Sequence, residues 1–313
     1  MAKHPIGIIG FGKIARDQHV PAISATPEFE LVAVSNVGGG AAPEGVPAFA
    51  SYDEMLNAVP DLSAVSICTP PGPRRSIAAA CLAAGKHVLL EKPPAATVTE
   101  VGDIARRAEA AGRVAFATYH ARHNAAVERA AELLAGKTLK SLCIRWKEDL
   151  RRWHPGQDWI LGAGGLGIFD PGINALSIVT RILPEPVFVS AAELFVPSNR
   201  QMPIAANLTF STGLATDEQL IGEFDWRQTG PQTWSIDVET VDGTKLTLDN
   251  GGSRLDCGKG PLFEGPADEY PRIYKEFVQL LNGLRSNVDA APFQLVADAL
   301  MLGSRTTVMP FDF

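Results

Sequence analysis

Short apolar runs alternate with stretches of helical periodicity over the first third of the chain. The runs are Ile6-Gly7-Ile8-Ile9 within residues 5–12, Phe29–Val34, Ala64–Cys68, His87–Leu90 and Val114–Thr118. Each is strand-length and apolar on both faces, as expected of strands buried on both sides. Between them, Lys13–Ser24 places Ile14, Ala15, Val20 and Ile23 at helical spacing, with Pro21 shortening or kinking the helix. Ser51–Leu56 begins a short helix, and Arg75–Ala84 is a longer one with Gly85 as its stop. Thr97-Val98-Thr99-Glu100 is a capping box for a helix running to Ala111, ended by Gly112. Gly38–Pro47 reads as a polar connection. Strand and helix in strict alternation predict a parallel sheet covered on both faces.

After about Arg122 the pattern changes. Ala125–Leu134 is helical, and Leu142–Asp149 alternates like a strand with charges at its end. A Gly- and Trp-containing stretch follows, then a helix from Phe169 to about Leu183. From Val187 to Asp249 apolar and polar positions alternate, as in antiparallel strands with one wet face. Pro271–Leu284 and Pro292–Leu302 are predicted helices that pack back on the first domain. The chain therefore divides into an α/β domain with a doubly wound parallel sheet, residues 1–122, and an α+β domain, residues 123–313.

Composition narrows the function classes. The 313 residues carry a formal charge of −7 with no long basic run, which argues against nucleic acid or an anionic membrane as partner. Cys68, Cys81, Cys143 and Cys257 are far apart and form no CxxC, so neither a disulfide framework nor a zinc site is expected. No paired-His or HExxH set suggests another metal. The chain enters Ile6–Gly10 without a secretory h-region, and no apolar run reaches membrane-spanning length. A cytoplasmic protein is expected.

The ends of the predicted strands carry the chemistry. Gly10-x-Gly12-x-x-Ala15 follows a strand and opens a helix, the context of a dinucleotide-binding turn. Gly10 makes the turn, Gly12 admits the pyrophosphate, and Ala15 allows close packing; Lys13 and Ile14 lie at the helix start that would hold the phosphates. The second strand ends at Ser35-Asn36, without the carboxylate that would bind a ribose 2′-hydroxyl or an arginine for a 2′-phosphate, so NAD and NADP both stay open. Thr69 and Pro70 end the next strand, Glu91-Lys92-Pro93 another, and Tyr119-His120 the last. A lysine before two prolines can simply end a strand; its place beside a dinucleotide turn suggests that Lys92 contacts cofactor and substrate.

In the second half, Asp170 and Asn174 are one helical turn apart on one face. Asp170 before Pro171 is equally an N-cap or a general base. His154 lies among Trp153, Pro155 and Trp159, after Arg151-Arg152. Indole faces stack on the C–H faces of sugars, while Glu148, His154 and Asn174 could hydrogen-bond to hydroxyls; core burial of the tryptophans and a solvated basic face are the alternatives.

Gly10-Phe-Gly12-Lys-Ile-Ala15, Glu91-Lys92-Pro93 and Gly165-Leu-Gly-Ile-Phe-Asp170-Pro-Gly-Ile-Asn174 together resemble the glucose–fructose oxidoreductase/inositol dehydrogenase family over nearly the whole chain. Ile14-Ala-Arg-Asp-Gln-His19, Trp146-Lys-Glu-Asp149, Arg152-Trp-His-Pro-Gly156 and Phe224-Asp-Trp-Arg227 narrow the likeness to the bacterial branch that oxidises D-galactose and L-arabinose. The resemblance implies a Rossmann domain and an α+β domain whose open, mostly antiparallel sheet often carries a homo-oligomer interface. It implies NAD(P)-dependent oxidation of an aldopyranose of the D-galactose, L-arabinose and D-fucose class at C1 to the lactone. Lys92, Asp170 and Asn174 match the family's catalytic positions, and Glu148 and His154 match sugar-binding ones. His120, Trp153 and Trp159 join that substrate set, and Gly10, Gly12, Lys13, Ile14, Ser35, Asn36, Thr69, Pro70, Glu91 and Lys92 form the expected cofactor set. A cis Lys92–Pro93 peptide is also implied. Oxidation at another ring carbon and a non-catalytic cofactor-binding regulator are the rival readings.

Overall fold

The computed structural model of the chain describes residues 3–37, 42–212, 220–258, 260–266 and 268–313. It divides into two compact units, Met1–His120 with Glu269–Ala290, and Ala121–Asp268 with Ala291–Phe313.

The first unit contains strands β1 (His4–Ile9), β2 (Phe29–Ser35), β3 (Ala48–Phe49), β4 (Ala64–Ile67), β5 (His87–Leu90) and β6 (Ala115–Ala117). They form one sheet in the order β3-β2-β1-β4-β5-β6, every neighbouring pair parallel. This is the doubly wound arrangement, and the strand order reverses beside β1, where such sheets bind ligands at the carboxyl ends of their strands. The short edge strand β3 follows the expected polar connection, of which Gly38–Ala41 lie outside the described residues.

Helices α1 (Val20–Ser24), α2 (Tyr52–Ala58), α3 (Pro71–Ala83) and α4 (Val98–Ala110) alternate with these strands. Ser51 caps α2 by accepting the Glu54 N–H at 3.1 Å, and Thr97 caps α4 by accepting that of Glu100 at 3.3 Å. The Glu100 carboxylate returns to the Ala96 N–H at 3.0 Å, so the box closes one residue earlier than its simplest form. Helix α3 starts at Pro71, ahead of the expected Arg75, because prolines are tolerated in a first turn that needs no N–H. The expected Lys13–Ser24 helix is present, and its Ala15–His19 portion is wound as a wide π turn that leads into α1. The Val20 N–H bonds back to the Ala15 carbonyl, and the wide turn absorbs Pro21, which has no N–H of its own.

Of the two C-terminal helices, α8 (Glu269–Gly283) belongs to the first unit. Tyr270, Ile273, Tyr274, Phe277 and Leu281 recur on one helical face and are buried with Ile6, Ile8, Phe29 and Phe116. Phe29 and Phe277 stack at 5.7 Å. Burying each such side chain contributes roughly 1.5–3 kcal/mol, enough to recruit a segment distant in sequence.

The second unit contains α5 (Ala125–Leu134), α6 (Leu150–Trp153), α7 (Phe169–Ile182) and α9 (Ala291–Leu302). Helix α9 packs on α7 and on the sheet of this unit. The sheet comprises β7 (Leu139–Lys147), β8 (Phe188–Pro197), β9 (Ala205–Ser211), β10 (Leu220–Asp225), β11 (Thr233–Thr240), β12 (Lys245–Asp249), β13 (Arg254–Asp256), β14 (Pro261–Glu264) and β15 (Ser304–Val308). Their order is β14-β13-β12-β11-β7-β10-β9-β8-β15. Only the β7–β10 and β8–β15 pairs are parallel. Residues 213–219, within the stretch expected to alternate, lie outside the described residues.

Helix α7 is apolar nearly all round, and Phe169, Ile173, Leu176 and Ile178 are buried. On the opposite side of the sheet, Arg145 pairs with Asp237 at 2.7 Å and Lys147 with Glu223 at 2.5 Å, a polar ladder. No described helix is long and apolar enough to cross a membrane.

Candidate functional site

The candidate residues lie in two groups, one in each unit. In the first unit, β1 ends in Gly10, whose N–H donates to the Ser35 carbonyl at 2.8 Å. Gly10 has φ +87°, and a Cβ there would lie 2.7 Å from the Thr69 backbone nitrogen. Only glycine suits that turn. Gly12 has open space where a side chain would be. The first helical N–H to bond back is that of Arg16, to the Gly12 carbonyl at 3.2 Å. The amides of Lys13, Ile14 and Ala15 therefore lie where a helix start leaves donors for an anion. Lys13 forms an ion pair with Asp17, Ile14 is exposed, and Ala15 is buried.

Ser35 is buried, and the Asn36 N–H is spent on the Phe49 carbonyl at 3.1 Å. Thr69 Oγ1 is buried with no hydrogen-bond partner among the described residues. An orphaned hydroxyl beside a cradle that a Cβ would fill, with open space over Gly12, fits a dinucleotide pyrophosphate. Pro70 precedes α3, and Arg74 of α3 donates to the Thr69 carbonyl at 2.7 Å and to the carbonyls of Glu91 and Pro93. A buried guanidinium thus binds the ends of two neighbouring strands. The Lys92–Pro93 peptide is cis.

Glu91 is buried at the end of β5. Its Oε1 accepts from His19 Nε2 at 2.9 Å and from the Tyr270 hydroxyl at 2.7 Å; its Oε2 accepts the Lys92 N–H at 3.0 Å. Burial opposes ionisation, but His19, His120 and the Tyr270 hydroxyl outweigh it and hold Glu91 well below the usual carboxylate range. His120 stacks on Tyr270 at 5.9 Å, with Nδ1 4.0 Å from Glu269 Oε1.

In the second unit, Glu148 follows β7 and is buried. Its Oε1 accepts Trp226 Nε1–H at 3.0 Å, and its Oε2 accepts Trp234 Nε1–H at 2.8 Å. The His154 ring meets Trp226 edge to face at 5.3 Å, and its Nε2 lies 3.5 Å from Asp170 Oδ2. Asp170 is buried in the first turn of α7, whose N-cap is Ile168. Asp170 is therefore not the N-cap that its place before Pro171 suggested. Gly167, at φ +55°, leads into this turn; a Cβ there would lie 2.4 Å from the Pro203 carbonyl oxygen.

Asn174 lies one turn further along α7, with Oδ1 buried and lacking a hydrogen-bond partner among the described residues. Trp153 and Trp159 are 39% and 41% exposed, so neither is a core residue. Trp153 approaches Trp234 at 5.8 Å, and Arg152 lies over its indole at 4.8 Å. Gln232 Oε1 accepts the Asp149 N–H at 2.6 Å and that of Trp153 Nε1 at 3.4 Å.

Sequence reasoning did not single out His19, Arg74, Trp226, Gln232, Trp234, Tyr270 or Tyr274. His19 and Trp226 stood inside the recognised motifs; the tyrosines offered only their helical spacing. Among the described residues, no group of three His, Cys, Asp or Glu could hold a metal ion.

Comparison with known proteins gives three kinds of match. Residues 5–119 match the model of the oxidoreductase family with the NAD-binding Rossmann fold. The chain is 45% identical over 306 residues to galactose 1-dehydrogenase of Pseudomonas fluorescens, covering 98% of both chains. The crystal structure of the D-galactose-1-dehydrogenase protein from Rhizobium etli superposes with a TM-score of 0.93 at 47% identity, covering 100% of this chain and 99% of that one. A 3-ketoreductase from Actinomadura kijaniata shares the fold at TM-score 0.79 and 17% identity, over 99% of this chain and 100% of the other. With its glycine turn, parallel sheet and full-length relatives taken together, the chain belongs to the oxidoreductase family with the NAD-binding Rossmann fold.

Proposed function

We propose that this oxidoreductase converts an aldopyranose of the D-galactose, L-arabinose and D-fucose class to its 1,5-lactone, oxidising C1 with NAD or NADP. The observation that carries the reading is the group on α7: Asp170 with His154 at 3.5 Å, and Asn174 with an orphaned amide oxygen one turn away. The full-length likeness to galactose 1-dehydrogenase supports the choice of sugar.

A bound nicotinamide supplies the acceptor for the hydride that leaves C1. The chain's own residues handle the proton and the charge. Asp170 accepts the proton of the anomeric hydroxyl, directly or through Lys92. The Lys92 ammonium stabilises negative charge developing on that oxygen, an interaction strongest in the transition state. His154 orients the Asp170 carboxylate. Asn174 Oδ1 accepts a hydrogen bond from a sugar hydroxyl, and the exposed indoles of Trp153 and Trp159 offer apolar faces to ring C–H groups. Glu148, with an indole N–H on each oxygen, shapes the wall beside His154. His120 contributes to the same substrate set from the end of the first sheet.

Gly10, Gly12, Lys13, Ile14, Ser35, Asn36, Thr69, Pro70, Glu91 and Lys92 would hold the cofactor. No carboxylate ends β2, so nothing repels a 2′-phosphate and both dinucleotides are accepted. D-galactose and L-arabinose share configuration from C1 to C4, so one site accepts both. The enzyme is cytoplasmic, and its nine-stranded sheet carries a homo-oligomer interface. The deciding experiment is a panel of sugars with NAD and with NADP, following reduced nicotinamide and identifying the product. A lactone or aldonate supports the reading; a ring ketone, or no turnover of any aldose, overturns it.

A further inference from the structure

His19, Tyr274 and Ser66, which have no part in the proposed chemistry, belong to a cluster of buried polar groups in the first unit that ends on Glu91 of the cofactor set. His19 is completely buried. Its Nε2 is 2.9 Å from Glu91 Oε1 and its Nδ1 is 2.7 Å from the Tyr274 hydroxyl. That hydroxyl is 2.8 Å from Ser66 Oγ. The ring also meets Tyr270 edge-on at 5.0 Å, and Tyr270 donates to the same Glu91 oxygen as His19. One hydrogen-bonded chain therefore ties the π turn, β4, the end of β5 and α8.

Burying so many polar groups costs free energy unless every one is satisfied. A strand end does not require such a network, since apolar residues would pack there at lower cost. The network converges on Glu91, whose other oxygen accepts the N–H of Lys92. Arg74 in turn donates to the Glu91 and Pro93 carbonyls, on either side of Lys92 in sequence. The backbone that bears Lys92 is thus held from both flanks. We propose that His19 is a positioning residue of the oxidation reaction, acting through Glu91 to fix the place of Lys92.

The electrostatics agree with this geometry. Burial alone disfavours the imidazolium, but Cys68, Tyr274 and the hydrogen bond to Glu91 outweigh it, and His19 is held well above the ordinary imidazole range. His19 and Glu91 are a buried hydrogen-bonded pair whose surroundings favour the charged form of each. Removing one partner of such a pair leaves the other uncompensated and free to swing toward a new donor. For Glu91, that motion moves the N–H it accepts. The inference rests on the role of Lys92 in aldose oxidation, so its test includes a readout that needs no turnover.

Two substitutions separate the contacts. In His19→Gln the side-chain amide reaches the position of Nε2 and keeps a donor for Glu91. In His19→Asn it reaches only the position of Nδ1, keeping the Tyr274 link and losing Glu91. With a sugar that the unaltered enzyme oxidises, His19→Asn should lower kcat by about 10- to 100-fold, the cost of a small misplacement. Its dissociation constant for reduced nicotinamide cofactor, read by fluorescence, should change by less than about 3-fold, and His19→Gln should recover most of the loss. In the cofactor-free protein, the rate at which acetic anhydride labels Lys92, followed by peptide mass spectrometry, should change in His19→Asn and return toward its original value in His19→Gln.

Equal kcat losses in the two variants would overturn the inference, because the effect would then be packing. So would a folded His19→Asn with undiminished kcat, or kcat and cofactor affinity falling together. If the unaltered enzyme oxidises no aldose, the sugar reading fails, and the labelling rates alone decide: a Lys92 rate that follows the Glu91 contact upholds the positioning role, and identical rates overturn it.

Discussion

His154 Nε2 stands 3.5 Å from Asp170 Oδ2, and both groups are largely withdrawn from solvent. The pair joins a loop residue to the first turn of α7, where Asp170 lies inside the helix and Ile168 holds the N-cap position without a side-chain cap. A carboxylate in the first turn is favoured in its ionised form, the form that accepts a proton. Asp170→Asn should therefore lower kcat by about 10²- to 10⁴-fold and remove the low-pH limb of the kcat/KM profile. A variant that keeps that limb would place the base elsewhere.

Lys92→Ala removes an ammonium that the proposed mechanism uses mainly in the transition state. Most of kcat should be lost while cofactor binding stays measurable by fluorescence titration. Unchanged turnover would end the assignment.

Glu148 accepts two indole N–H groups, one on each oxygen. Glu148→Gln keeps one acceptor and sets an amide N–H₂ against the other indole. The buried donor left unsatisfied should cost about 1–3 kcal/mol in chemical denaturation and alter the near-ultraviolet circular dichroism of Trp226 and Trp234. An unaltered spectrum would mean that the indoles do not depend on the carboxylate.

Gly10→Ala combines a left-handed backbone angle of +87° with a Cβ 2.7 Å from a backbone nitrogen. Because that neighbour is backbone, the turn itself must move. Cofactor affinity should fall at least about 10-fold, with a lower melting temperature. Calorimetric titration with NAD and NADP checks this, and full affinity would show that the turn tolerates the shift.

His87 gives a pH signature. Burial, then the charges of Arg113 and His4, lower it from 6.5 to about 4. Its Nδ1 accepts the Val114 N–H at 2.9 Å, a bond that protonation destroys. The unfolded chain then takes up the proton first as pH falls, so this contribution to stability is complete above about 6.5 and declines toward pH 4. His87→Gln should flatten that limb of a plot of melting temperature against pH. An equally steep limb in the variant would assign it to other groups.

Much of the fold was legible in the chain because its signals are local. The Gly10–Ala15 turn, the capping residues Ser51 and Thr97, and the apolar runs of β4 and β5 each act within one turn or one strand of themselves. Helix α3 starts earlier than expected because prolines read as breaks, while the Lys13–Ser24 helix forms as expected with a π turn before Pro21. In the fold these prolines occupy positions where a missing N–H does no harm. The site was legible in part: Asp170 and Asn174 share a helix face by spacing alone, and Lys92 follows a strand.

The order of residues by itself determined where the strands and helices form, which strand ends bear glycine, carboxylate and lysine, and to which family the motifs point. Periodicity, capping and turn chemistry depend on neighbours within a few positions, so they survive in a one-dimensional reading. Only the tertiary structure decided which distant groups meet. It brought Tyr270 and Tyr274 of α8 to His19 and Glu91, set Trp226 and Trp234 on the two oxygens of Glu148, and sent α8 and α9 to different units. The reason is physical. Burial of an apolar face rewards any surface of fitting shape, however remote in sequence, and a buried carboxylate takes its donors from whatever elements that packing has gathered around it.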